Sequence, residues 1–431
     1  MQRVLVKRIA ALVIATGFVL PLFALTPAQA ATTAPAGLFG IQDPTYDGVY
    51  RQSEAILAYS ALDKPAPESA IGWLKDQQCA DGGWQAFRAD TTKACDPADP
   101  VTYSGEDSNS TALAIAALAT VGESSAVDQG VEYLRSIQLA DGALPWFKGG
   151  DADASSSALA AAAITTAGQS INLFTNGGAS LRDGLNQFQI GCDGASTQQG
   201  GFRYLTSDEL FATDFASIQA LLGISNSVVP VAPSSIDNAE NSFACPTSDP
   251  ISDADRMSAA AAHVVSRLEA GSGTIESAYT PGTVDWTNTR FAVLSLAASG
   301  HGRDAIAIAL NALASSVAET TVDAGGNDKP GTLAELILAN EAGKSALQPL
   351  ATSTGLDSQA LFERLEATLT SGGEADSGTP EAVQDGRTAV QKKTLADSGP
   401  SPSIQANARI AVLLVLAGCA LLVLSRRRAT A

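Results

Sequence analysis

Acidic residues recur along this chain just ahead of, or inside, the first turn of segments rich in Ala and Leu. They are Asp47, Glu106 with Asp107, Asp153, Asp214, Asp285 and Asp328. A carboxylate placed there has two uses. It accepts hydrogen bonds from the free N–H groups of a helix start and opposes the helix dipole, which stabilises by roughly 0.5–2 kcal/mol. It also offers charge to a ligand where several helix starts share one mouth. Tyr103, Trp146, Tyr204 and Trp286 stand in the adjoining loops. Asp107, Asp153, Asp214 and Asp285, with Trp146 and Tyr204, therefore form the candidate ligand-binding set. Capping is the competing role for the acids, and loop packing for Trp84 and Trp146.

Other chemistries find little footing. There is no G-x-S-x-G, no H-E-x-x-H and no P-loop. The run Asp151-x-Asp153-x-Ser155 begins like a calcium loop but lacks the sixth-position Gly and the twelfth-position acid. Only His263 and His301 are present, and close C-x-x-C spacing is absent, which argues against zinc. No catalytic residue, metal or cofactor is assigned.

Five cysteines are present, and Cys419 falls in the apolar C-terminal stretch. The remaining four, Cys79, Cys95, Cys192 and Cys245, suit two disulfides in an exported chain. Three pairings are possible. Cys79–Cys95 with Cys192–Cys245 is the expected one, because each bridge then staples the ends of one long loop.

The two ends bear on location. Arg3, Lys7 and Arg8 precede an apolar run from Ile9 to Leu25 and then Ala28-Gln29-Ala30. This order reads as a secretory signal peptide cleaved after Ala30. At the other end Leu395-Ala396-Asp397-Ser398-Gly399 precedes an apolar stretch from Ile410 to Leu424 and the cluster Arg426-Arg427-Arg428. Positive charge behind an apolar stop keeps the tail inside and the bulk of the chain outside. The arrangement resembles the cell-wall sorting signal of sortase substrates, whose pentapeptide is matched at Leu395, Ala396 and Gly399, with Ser398 where that family has Thr. The resemblance implies cleavage after Ser398 and attachment to the wall; retention by a C-terminal membrane helix is the alternative.

Charge fits that location. The chain carries 45 acidic residues against 26 Lys and Arg, a net of −19. Seven of the basic residues lie in the leader and tail, so the segment between is more acidic still. Such a surface disfavours nucleic acid and anionic lipid as partners.

Between the ends the chain repeats. Asp81-Gly82-Gly83-Trp84, Asp141-Gly142-Ala143-Leu144-Pro145-Trp146 and Gly200-Gly201-Phe202-Arg203-Tyr204 are spaced by about 60 residues. Ala/Leu-rich helices are expected at 49–61, 108–121, 155–167, 211–222, 287–298 and 332–341. Each is followed by a more amphipathic helix, at 69–77, 127–138, 181–190, 254–268, 304–316 and 358–369. The first of each pair is apolar on all sides and must be buried on most faces, whereas the second has one wet face. Six buried helices ringed by six half-buried ones make an all-α, α/α toroid, with an open stack of helical hairpins as the alternative. The expected organisation is a signal peptide at 1–30, an extension at 31–44 and the toroid at 45–370. A polar linker at 371–403 with the motif at 395–399 follows, and then a membrane segment and basic tail at 404–431.

The Gly-Gly-aromatic turns and their following helices resemble the prenyltransferase and squalene-cyclase type repeats over about Gly40 to Leu369. That resemblance implies a terpenoid cyclase-like toroid and leaves the chemistry open. The cyclase Asp-x-Asp-Asp motif is incomplete at Asp151-Ala152-Asp153-Ala154. The zinc set of protein prenyltransferases has no counterpart, and Cys192-Asp193-Gly194-Ala195 does not match the thioester motif. The expectation is a surface-held, non-catalytic toroid that binds an extracellular ligand or partner. An extracellular enzyme, acting on glycans or cyclase-like through other acids, is the second.

Overall fold

A computed structural model describes residues 35–245, 251–347 and 356–371. The expected signal peptide, sorting-like motif and C-terminal membrane segment lie outside the described residues. Within them, no helix is long and apolar enough to cross a membrane.

Twelve α-helices are present among the described residues, in six pairs. The first members are α1 (Gly48–Ala61), α3 (Ser108–Thr120), α5 (Ala154–Thr166), α7 (Asp214–Ile224), α9 (Trp286–Ser299) and α11 (Pro330–Gly343). The second members are α2 (Glu68–Asp76), α4 (Ser124–Ile137), α6 (Leu181–Asn186), α8 (Asp253–Ala270), α10 (Arg303–Thr320) and α12 (Ser358–Ala367). The only strands described are the two-residue β1 (Trp84–Gln85) and β2 (Glu106–Asp107), which pair antiparallel.

The first members form the inner layer. In α5 (ASSSALAAAAITT) every residue from Ala154 to Ser157 is buried, as is the Ala160–Ile164 stretch. Side chains this small let helix axes approach closely, and Ala carries the highest helix propensity. The outer helices keep one wet face. Helix α4 buries Val127, Val131, Leu134 and Ile137 at i, i+4, i+7 spacing and leaves the opposite side to solvent.

Ring closure separates a toroid from an open stack. Each inner helix packs on the next, and α11 packs back on α1. The chain ends lock the join: Gly37 N–H donates to the Thr370 carbonyl at 2.9 Å and Thr370 N–H to the Leu38 carbonyl at 3.0 Å. The architecture is an all-α toroid.

The Gly-rich turns brace one pair against the next. Gly142 has φ +90°, and a Cβ there would lie 2.0 Å from the Ser180 carbonyl oxygen at the start of α6. Only glycine allows both the left-handed backbone and that approach. The residue two after Gly142, Leu144, donates its N–H to Ser157 Oγ at 2.9 Å. Trp84 N–H does the same to Thr111, Phe202 N–H to Ser217 and Ile275 N–H to Thr289. The structural equivalent of Trp84 is thus Leu144, with Trp146 two positions further on.

Helix α6 is shorter than the sequence expectation. It ends at Asn186 because Gln189 and Ile190 turn aside to bond the Gly200–Phe202 turn, with Ile190 N–H donating to the Gly201 carbonyl at 2.9 Å. Both expected disulfides are present, Cys79–Cys95 and Cys192–Cys245, with Cα separations of 5.7 and 5.6 Å.

Candidate functional site

The starts of the inner helices lie side by side at one end of the ring. Val49 N–H donates to the Ala86 carbonyl, Ser108 N–H to Trp146 and Ala154 N–H to Tyr204, at 2.8–3.0 Å. Each bond ties one inner start to the loop that leads into the next inner helix. The acids singled out in the sequence therefore stand around this mouth.

Three of them, Asp107, Asp153 and Asp285, cap helices with their side chains. Asp107 accepts from the N–H groups of Asn109 and Ser110 at 2.9 and 2.8 Å, and from Ser110 Oγ. Trp146 Nε1 also donates to it at 3.2 Å. Asp153 accepts from Ser156 N–H at 2.7 Å and Ser156 Oγ at 2.8 Å. Asp285 accepts from Asn288 N–H and Nδ2. Asp214 is the first residue of α7 and Thr213 does the capping; the Asp214 carboxylate instead takes Arg267 of α8 through Nε at 2.7 Å and Nη2 at 3.1 Å. Among these residues, Asp107, Trp146, Asp153 and Tyr204 are drawn together, whereas Asp214 and Asp285 bond elsewhere.

Burial pushes the carboxyls of Asp107 and Asp153 up to about 6, against the pull of the hydrogen bonds they accept. The Tyr50 hydroxyl, beside Asp107 and bonded by Asn109, is raised by burial as well. These groups satisfy one another.

Below the mouth the ring axis holds a cavity whose empty space is about 580 Å³, part of it continuous with solvent. All six inner helices line it. Its walls are mostly apolar, with Leu57, Leu113, Leu159, Leu222, Phe291 and Leu338 among them. Three charged side chains break that lining: Glu54 of α1, Arg290 of α9 and Glu335 of α11.

The three form one cluster. Arg290 is 4% exposed, and its Nε donates to Glu335 Oε2. Its Nη2 donates to Thr287 Oγ1 at 3.0 Å. Burial holds the Glu54 carboxyl well above the usual carboxylate range, and the nearby Glu335 charge adds to the effect. The arrangement is one guanidinium paired with Glu335, with a second carboxyl, Glu54, raised by burial beside them.

None of these three residues belongs to the sequence-derived candidate set. The signal available was a charged residue inside a helix otherwise apolar on every side. Such a helix is buried, and a buried charge needs a partner.

One further cluster could suggest a metal. Asp237, Glu240 and His301 bring their ligand atoms within 4.8 Å of one another. His301 Nδ1 lies 2.9 Å from Asp237 Oδ1, and Glu240 accepts from Gly302 N–H at the start of α10. The positive end of that helix opposes a cation, so these groups serve the helix start.

No protein-family model matches the sequence, and no curated protein matches it. Among solved structures, a protein from Actinoplanes is similar at 15% identity, covering 69% of this chain and 90% of that one, with a TM-score of 0.43. The type II terpene cyclase MstE from Scytonema is similar at 13% identity, covering 70% of this chain and 88% of its own, with a TM-score of 0.42. An Arg-to-Ala variant of that cyclase in complex with geranylgeranyl dihydroxybenzoate matches at 14% identity over 74% of each chain, with a TM-score of 0.37.

Proposed function

We propose that this chain is an exported surface protein whose toroid binds a small apolar molecule in its axial cavity, without catalysis. The single observation that carries the reading is the lining: six helices enclose a space walled by Leu, Ala and Phe, with one polar cluster of Glu54, Arg290 and Glu335. Concave, mostly apolar sites with a few convergent polar groups are the usual form of small-molecule pockets. Walls of this kind suit a hydrocarbon body better than a sugar, whose hydroxyls would be left unpaired. The two disulfides fit an oxidising compartment. The N-terminal leader and the Leu395–Gly399 motif with its apolar stop and arginines support export and retention at the surface. Release of the mature chain by a wall-degrading enzyme, and not by detergent, would support covalent attachment by a sortase.

A second reading has its own observation. Glu54 lies at the wall of an apolar cavity and burial raises its carboxyl; a carboxyl that keeps its proton there would be a donor held away from water, as acid-catalysed chemistry on a hydrocarbon requires. The Glu54–Glu335 pair would then be the acid, and the protein a cyclase-like enzyme.

One experiment separates the two. Chain isolated from the cell envelope is extracted with organic solvent, and the extract is analysed by mass spectrometry. It is also incubated with Nile red and with isoprenoid olefins. Saturable Nile red binding with unchanged olefins is the expected result. Olefin turnover that Glu54→Gln abolishes would replace binding with catalysis, and failure to bind any apolar probe would defeat both.

A further inference from the structure

The guanidinium of Arg290 is buried, yet only part of it is used. Nε is taken by Glu335 and Nη2 by Thr287, while Nη1 is buried with no hydrogen-bond partner. Leaving a buried donor on a charged group unmatched is costly, and native structures nearly always satisfy such groups. Arg290 lines the axial cavity, where the remaining wall is mostly hydrocarbon. A lone water there would find few further partners, since an ordered buried water makes about three hydrogen bonds.

The neighbouring charges leave room for an incoming oxygen. Glu335 pairs with Arg290, and burial raises the Glu54 carboxyl, which favours its uncharged form. An acceptor approaching Nη1 therefore meets a cationic donor whose one ion-pair partner is Glu335 on Nε. The hydrocarbon lining of the same cavity includes Phe291 and Leu294 on α9 itself and Leu57 on α1.

We infer that the axial cavity takes a molecule with an apolar body and a single oxygen acceptor at one end, a carboxylate or a carbonyl, received by Arg290 Nη1. This rests on the binding reading of the cavity. Arg290 acts as the specificity-determining residue, selecting the acceptor-tipped molecule from plain hydrocarbon of the same length. A hydrogen bond to a charged donor is worth about 1.5–3 kcal/mol, which corresponds to a preference of roughly tenfold or more.

The test measures displacement of Nile red from the full chain by dodecanoic acid, methyl dodecanoate and dodecane. Both oxygen-bearing probes are expected to bind about tenfold or more tightly than dodecane. If the acid alone does so, the head is a carboxylate; if acid and ester match, it is a carbonyl oxygen. Arg290→Gln by itself leaves Glu335 buried without its cation and can unfold the ring. The double variant Arg290→Gln with Glu335→Gln keeps the cluster neutral, and its thermal melt shows whether it folds. In that variant the acid and ester should fall to the level of dodecane, with dodecane unchanged. Equal binding of all three probes by the native chain would overturn the inference while leaving the cavity reading intact. So would a preference that survives the double substitution. Absence of binding by all three, dodecane included, would overturn both.

Discussion

Asp107 and Asp153 show how a carboxylate at a helix start changes meaning once it is buried. Both cap their helices, yet burial raises each to about 6. A folded-state value above the unfolded one means that the native chain holds the proton longer. The associated stability is present in full below about pH 4 and is lost as pH rises through about 6. The depressed carboxylates, such as Asp43, Asp99 and Asp323, act at lower pH and stay outside that window. Glu106, raised to about 7, acts in the same direction, whereas His263, pushed down to about 4 by burial, gives up stability as pH falls below about 6.5. The carboxyls outnumber the one histidine, so the protein should melt at a higher temperature at pH 5 than at pH 7.5, each buried Asp contributing on the order of 1 kcal/mol. Asn caps as well as Asp and does not titrate. Asp107→Asn should be near neutral at pH 7.5 and should flatten the pH dependence, whereas Asp107→Ala should cost about 1–2 kcal/mol at pH 7.5 from the lost cap and about 1 kcal/mol more at pH 5. Thermal melts at the two pH values check all three.

At the scale of elements, the repeat is held by a hydroxyl relay. Thr111 is fully buried; its Oγ1 accepts from Trp84 N–H at 2.9 Å and donates to the Asp107 carbonyl at 2.7 Å. One side chain thereby joins the Gly-rich turn, the cap and the inner helix. Ser157 and Thr289 repeat the pattern at α5 and α9. Thr111→Val keeps the shape but leaves the Trp84 N–H unsatisfied, at a cost of about 1–3 kcal/mol. Thr111→Ser keeps the hydroxyl and should lose less than about 1 kcal/mol, mostly from the missing methyl. Denaturant unfolding of the two variants should rank them in that order.

Over the whole molecule, the disulfides restrain two different kinds of segment: Cys79–Cys95 closes a loop between α2 and α3, whereas Cys192–Cys245 joins the loops on either side of the inner helix α7. Cys79–Cys95 closes a separation of 16 residues and Cys192–Cys245 one of 53. Loop-closure entropy assigns them about 3 and about 4 kcal/mol respectively. Cys192→Ser with Cys245→Ser should therefore destabilise more than Cys79→Ser with Cys95→Ser, as judged by urea midpoints. A reversed order would mean that the longer loop keeps its ends together without the bridge.

Much of this architecture was legible in the sequence because it is local. Ala-rich runs, acids at helix starts and Gly-rich turns state their roles within a few residues, so all six pairs of helices lie where the periodicity put them. The shortening of α6 was not legible, since it depends on a bond to a turn that follows it. Nor was the cavity cluster. Glu54, Arg290 and Glu335 sit on three helices that meet only when α11 closes against α1, so no spacing relates them. The mouth acids illustrate the reverse case. Their positions were plain in the sequence, but whether they cap or bind depended on which donors folding brought within reach. Sequence by itself determined the elements and their burial, through propensity and periodicity. Only the tertiary structure decided which charges face the ring axis, because that is a property of closure and not of any single repeat.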